Sequence, residues 1–204
     1  MNDDFLSLTR AAQAEDSELS GLTVQGLTLA GEDLTGLTLT GCTFTRCRFL
    51  SCDWSAASFT GVTFTDCDLS GSVFSDTYWS RFAWTDSKLS GCAFVNSRFQ
   101  QGQAEGCPMP YGNYEKCKFR LVSFSHSDLS GSFFPHCKLS SVTFADCTLT
   151  QCSFFQSPLK GMDLTTNRIG GLTLSEDLHE LRGATLDLYQ SADLARRLGI
   201  IVKE

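Results

Sequence analysis

Every fifth residue of this chain, counted from Leu19, is a large apolar one. The series runs Leu19, Val24, Leu29, Leu34, Leu39, Phe44, Phe49, Trp54 and onward to Leu174, with Ala104 its one small member. All 3 Trp and most of the 16 Phe lie on this register. A period of five matches neither the 3.6 of a helix nor the 2.0 of a regular strand, so an internal repeat sets the architecture. It suits a chain that turns a corner every five residues, burying the central residue and the one two places before it.

The accompanying positions fit that geometry. All 10 Cys, from Cys42 to Cys152, sit two residues before a centre. Gly recurs two residues after it, as at Gly36, Gly71 and Gly131, where a corner needs turn dihedrals. Ser and Thr fill most other places. The chain therefore divides into an N-terminal tail or cap (1–16), a repeat array (17–176) and a C-terminal cap (177–204).

The array resembles the pentapeptide-repeat family, whose consensus is close to A(D/N)LXX. The likeness is most literal at Asp33 to Gly36, Asp68 to Gly71 and Asp128 to Gly131. It implies an all-β fold: a right-handed quadrilateral parallel β-helix with four pentapeptides per coil and about eight coils, closed by a short C-terminal helical cap. Successive coils would lie about 4.8 Å apart.

Two stretches strain the pattern. Between Gln100 and Glu115 the inward consensus lapses and Pro108 and Pro110 flank Met109, which leaves an irregular coil or a projecting loop open. Phe82 occupies an inward position that is small elsewhere, beside Trp79 and Trp84, and predicts a local bulge. Past Glu176 the period ends. Asp187 and Gln190 have the spacing of a capping box, Leu188, Ala192 and Ala195 share a helical face, Gly199 can end the helix, and Ile200 to Val202 reads as a short strand. This tail, with Gly183, Leu186, Asp187, Tyr189, Gln190, Leu194, Arg197, Leu198, Gly199, Ile200 and Val202, looks like the C-terminus of Qnr-type quinolone-resistance proteins. That resemblance implies a homodimer joined at this end, through Leu186, Tyr189, Leu194, Leu198, Ile200 and Val202.

Chemistry is sparse. There is no CxxC, and inward thiols behave as small buried hydrophobes. Cys47 with Cys67 and Cys117 with Cys137 stand one coil apart, within disulfide reach, but a cytosolic setting keeps thiols reduced. His126, His136 and His179 share no ligand spacing with Cys or acids, so no metal site is expected. No nucleophile elbow, phosphate loop or dinucleotide fingerprint occurs. A filled β-helix also lacks a cleft; no catalytic residue, no cofactor and no enzymatic activity are expected.

Recognition then falls to the outer surface. The net charge is −7 with a pI of about 4.9, which argues against direct nucleic-acid binding and favours basic partners. No run of residues is long and apolar enough to span a membrane, and Met1 to Asp4 lack a signal-peptide start, so a cytoplasmic location is expected. Stepping by 20 residues sorts the charges by side. The Phe44 side carries Asp66, Asp86, Glu105, Asp146 and Asp163 against Arg46. The Trp54 side carries Glu32, Asp33, Asp53, Asp76, Glu115 and Glu176 against Lys116. The Trp79 side is basic, with Arg81, Arg98, Lys118, Arg120, Lys138 and Lys160 against Glu18.

A rod with two acidic flanks imitates duplex DNA. Together with the Qnr-like tail, this points to binding of a type II topoisomerase (DNA gyrase, with topoisomerase IV as a further target) and protection from quinolones or another gyrase poison. The repeat phase runs unbroken here, whereas Qnr proteins carry loops that interrupt it. The alternatives are a general protein-interaction scaffold or regulator, and a toxin-immunity protein.

Overall fold

In the computed structural model, which describes residues 2–203, the chain winds as a parallel β-helix with a repeat of 20 residues. Every strand pairing is parallel and joins residue i to i+20: Leu19 to Leu39, Leu39 to Phe59, Phe59 to Trp79, Trp79 to Phe99, Phe99 to Phe119 and Phe119 to Leu139 on one side. Three further columns, through Phe44, Leu69 and Trp54, complete four sides. The Trp54 column is held by isolated bridges from Asp33 and Asp53 through Val73, Ala93, Asn113 and Phe133 to Thr173.

The five-residue register is buried as its apolarity demands. Aromatic rings stack up the interior at coil spacing, with centroids 4.8 Å apart for Phe44 and Phe64, 4.9 Å for Phe74 and Phe94, and 4.5 Å for Tyr114 and Phe134. The second inward position is small and polar for a reason of its own. Ser72 Oγ accepts from Cys52 N–H at 3.0 Å and donates to the Phe49 carbonyl at 2.7 Å, tying two coils together. Cysteine imitates this: the Cys42 and Cys152 thiols donate to the Leu19 and Leu129 carbonyls at 3.3 and 3.1 Å. All ten thiols are free and buried in this structure, those of the Cys47–Cys67 and Cys117–Cys137 pairs among them.

Four expectations need correction. The regular strand ladder makes about six turns, fewer than the about eight expected. Past Ala145 only isolated bridges continue the winding. Lys118 and Lys138 donate their N–H groups to Ser97 and Cys117 of the preceding coil, but Pro158, at the equivalent place, has no N–H to offer.

Second, the alternatives left open between Gln100 and Glu115, an irregular coil or a projecting loop, give way to a regular coil. Ala104 pairs with Phe124, and Pro108 and Asn113 bridge Asp128 and Phe133, all in register. The prolines are tolerated because their carbonyls still accept, from Leu89 and Gly91, both at 2.9 Å.

Third, Phe82 causes no bulge, since Ala83 keeps register with both Thr63 and Gln103. Gly102, one coil on, makes room: a Cβ there would meet the Phe82 ring at 2.0 Å.

The two ends close differently. Helix α1 (Asn2–Glu15) buries Phe5, Thr9 and Ala12, spaced for one helical face, over the first coil. Phe5 meets Phe44 edge-on at 6.1 Å, and Gln13 Nε2 donates to the Thr35 carbonyl at 3.0 Å.

At the other end Glu180 is fully buried in a short 3-10 turn (His179–Leu181) and replaces the missing coil. Its carboxylate accepts from Gln156 N–H at 2.8 Å and Ser175 Oγ at 2.6 Å. Helix α2 (Leu188–Arg197) follows, with the expected capping box of Asp187 and Gln190, and Gly199 takes the left-handed conformation just past it. Gln190 Nε2 also donates to the Leu164 and Asn167 carbonyls at 2.8 Å each. This face, carried on by half-buried Leu194, meets the repeat, whereas Leu188 is 79% exposed. Fourth, the strand expected over Ile200 to Val202 does not form: these residues carry no regular secondary structure.

Candidate functional site

Each corner of the helix needs a residue with positive φ, and on the Phe44 side that column reads Arg46, Asp66, Asp86, Gly106, His126 and Asp146. Asp adopts this left-handed conformation more readily than most residues because its short polar side chain is tolerated there. The backbone therefore presents these carboxylates outward, about 4.8 Å apart where coils are consecutive. Asp86 leans over the next corner, where a Cβ on Gly106 would lie 2.3 Å from its Oδ1.

Hydrogen bonding separates the sequence-predicted acids into two kinds. Asp33, Asp53 and Asp163 stand one residue before a centre and turn back on their own loops. Asp163 accepts from Thr165 N–H at 2.9 Å and Oγ1 at 2.7 Å, Asp33 from Thr35 at 3.0 and 2.7 Å, and Asp53 from Ser55 N–H at 2.9 Å. The Thr35 and Thr165 hydroxyls, then the N–H groups, hold the Asp33 and Asp163 carboxyls below the ordinary aspartate range. Asp76 accepts from Asn96, and Glu115 is held low by Lys116, its 2.8 Å partner. The second acidic side is thus locally engaged throughout the predicted set.

On the Phe44 side, by contrast, Asp66, Asp86 and Glu105 are exposed and have no side-chain partner among the described residues. Asp146 lies farther along, with His126 Nε2 at 3.7 Å. So the structure brings together Asp66, Asp86 and Glu105, and leaves Asp146 and Asp163 apart from them.

The Trp79 side carries the opposite sign. Ladder register aligns Arg98, Lys118 and Lys138 in successive coils, with Arg120 beside them, all exposed and without an ion pair among the described residues. The residues predicted for dimerisation also divide. Tyr189 (84% exposed), Leu198 and Ile200 face outward, while Leu186, Leu194 and Val202 are half-buried against the cap. A shallow cavity of 540 Å³ lies between α2 and the tail, lined by Leu188, Tyr189, Ala192, Arg196, Val202 and Lys203.

The interior offers little reactivity. Burial pushes the Cys92 and Cys152 thiols up to about 12, so they keep their protons. Among the described residues no group of three or more His, Cys, Asp or Glu stands close enough to hold a metal ion, and no helix is long and apolar enough to cross a membrane.

The sequence reading missed one surface feature. Tyr111, at the corner before the Trp54 side, and Phe133 and Phe155 on that side are exposed, and the signal was available, since these aromatics fall off the inward register.

A family profile described as a pentapeptide repeat region matches residues 57–134, and one of pentapeptide repeats in eight copies matches residues 117–154. Among solved structures, full-length QnrB1, a plasmid-mediated fluoroquinolone resistance protein, is 20% identical over 90% of this chain and 100% of that one, with a TM-score of 0.44. A trypsin-treated form of QnrB1 is 19% identical over the same shares, at 0.44. HetL, a pentapeptide-repeat protein involved in heterocyst differentiation regulation from Nostoc sp. strain PCC 7120, is 14% identical over 86% of this chain and 92% of that one, at 0.27. Comparison with the curated proteins gives no match.

Proposed function

We propose, on the premise that this chain is a pentapeptide-repeat protein, that it binds a type II topoisomerase as a mimic of duplex DNA. DNA gyrase is the intended target, with topoisomerase IV sharing the same cleft chemistry, and the bound enzyme is protected from quinolones or another gyrase poison. The protein acts by occupancy and performs no catalytic step. A DNA-binding cleft is lined with cations that attract an acidic rod over long range, and regular spacing of carboxylates lets the rod replace phosphates.

The observation that carries this reading is the unpaired run of Asp66, Asp86 and Glu105 on one flank. The acids of the Trp54 side add to the field, and Asp33, Asp53 and Glu115 each also hold a local partner. Two copies joined through Tyr189, Leu198 and Ile200 would double the length of the rod about a two-fold axis.

The test is gyrase supercoiling and drug-stabilised cleavage with and without the purified protein. The expected result is a dose-dependent change that Asp66→Asn with Asp86→Asn weakens at least tenfold. No change at stoichiometric excess would defeat the reading, and an undiminished effect from the double variant would remove this flank from it. A second reading, a scaffold that gathers acidic partners, is favoured by the unpaired ladder of Arg98, Lys118 and Lys138.

A further inference from the structure

Tyr111, Phe133 and Phe155 are 68%, 51% and 38% exposed and lie in consecutive coils, Tyr111 at the corner between the Leu69 and Trp54 sides and the other two on the Trp54 side. Isolated exposed aromatics are ordinary on protein surfaces; a contiguous group is not. Contiguity here follows from the winding. Tyr111 folds over the corner of the next coil, its ring atoms 2.7 Å from where a Cβ on Gly131 would be, and Gly131 is buried beneath it. Two residues on, Phe133 bridges Asn113 below and Ser153 above. His136 N–H donates to the Phe155 carbonyl at 3.0 Å, and its ring meets the Phe155 ring edge-on at 5.8 Å. The fold does not require these side chains, since the same outward places hold Asn113, Ser153 and Ser175 in neighbouring coils.

The surroundings say what would cover them. Asp76 and Glu115 on the same side, with Glu176 two coils beyond His136, face two basic side chains among the described residues: His136, and Lys116, which already pairs with Glu115 at 2.8 Å. Aromatic faces attract cations, and arginine most of all, through their quadrupole. Aromatic residues inside a polar rim are also a usual make-up of a protein interface centre.

We propose that Tyr111, Phe133 and Phe155 form a docking surface for a protein segment that alternates arginine with aliphatic side chains. This goes beyond the topoisomerase reading and uses a different side of the rod. Binding there buries the three rings and places guanidinium groups over Tyr111 and Phe133 and against the acidic border.

The experiment titrates the isotope-labelled full chain with a short synthetic peptide of alternating arginine and leucine, followed by NMR. Shifts should cluster at residues 111–113, 133–136 and 153–156. Phe133→Ser with Tyr111→Ser should weaken binding at least tenfold at unchanged net charge, whereas Asp66→Asn with Asp86→Asn should change it less than twofold. Shifts centred on the Phe44 side, or affinity unaffected by the aromatic replacements, would overturn the proposal. So would equal binding of a glutamate–leucine peptide. Sedimentation of the protein alone supplies the remaining arm: self-association abolished by Phe133→Ser would make a second copy the occupant, against the proposal. Circular dichroism of the variants separates any loss of binding from loss of fold.

Discussion

The two ends of the rod solve the same problem to different degrees. Both must satisfy open ladder groups and cover apolar side chains that a further coil would have covered. The N-terminal end is finished: α1 lays Phe5, Thr9 and Ala12 onto the first coil and all three are buried. The C-terminal end is finished in its polar groups alone. Glu180 and Gln190 satisfy the last coil's backbone, yet α2 buries no residue fully, and Leu188, Tyr189 and Ile201 stay 79–85% exposed. In the proposed dimer, a second copy of the same end would cover this apolar surface.

This contrast can be broken at either end, and the largest effect belongs to α1. Phe5→Ala removes a buried ring and should cost about 3–5 kcal/mol in denaturant unfolding, first exposing coils near Phe44 to hydrogen exchange. Glu180→Ala should cost about 2–3 kcal/mol, because three donors from Gln156 and Ser175 lose a charged acceptor.

Its pH signature has a definite sign. Burial alone would raise the Glu180 carboxyl, but the bonds from Ser175 and Gln156 outweigh it and hold the group below its ordinary 4.5. The contribution is therefore complete above that value and lost as pH falls through the lower folded value. Wild-type stability should drop in that acid window and Glu180→Gln should flatten the drop; parallel acid-unfolding curves would show that Glu180 does not act as an ionised cap.

Gln190→Ala should cost about 1 kcal/mol, the scale of a lost helix cap, with α2 amides exchanging faster. Smallest in stability is Tyr189→Ser with Ile201→Ser, within about 0.5 kcal/mol because both side chains are exposed. Light scattering should nevertheless report the loss of the dimer proposed for the parent. An unchanged mass would mean that the open C-terminal cap is not the dimer contact.

How much was legible beforehand differs by residue. The inward register was plain, since burial alternates on the repeat and each centre has apolar neighbours 20 residues away. Phe82 looked overpacked because its relief, Gly102, is also 20 residues off and matters only once the coils are stacked. The nine predicted acids looked alike. Their difference lies in short-range bonds to the residue two places on, which Thr35, Ser55 and Thr165 provide and which Asp66 and Asp86, at left-handed corners, do not have. Helix α1 carries its apolar face at Phe5, Thr9 and Ala12, too few large residues for periodicity to reveal.

By itself the sequence determined the winding. A five-residue period with one buried large side chain per step admits only a chain that turns at regular corners, and the Cys, Gly and Ser classes follow from that. Tertiary structure alone decided which outward groups are available. Availability depends on what the next coil places above a side chain: Gly102 beneath Phe82's ring, Gly131 beneath Tyr111, and nothing above Tyr189.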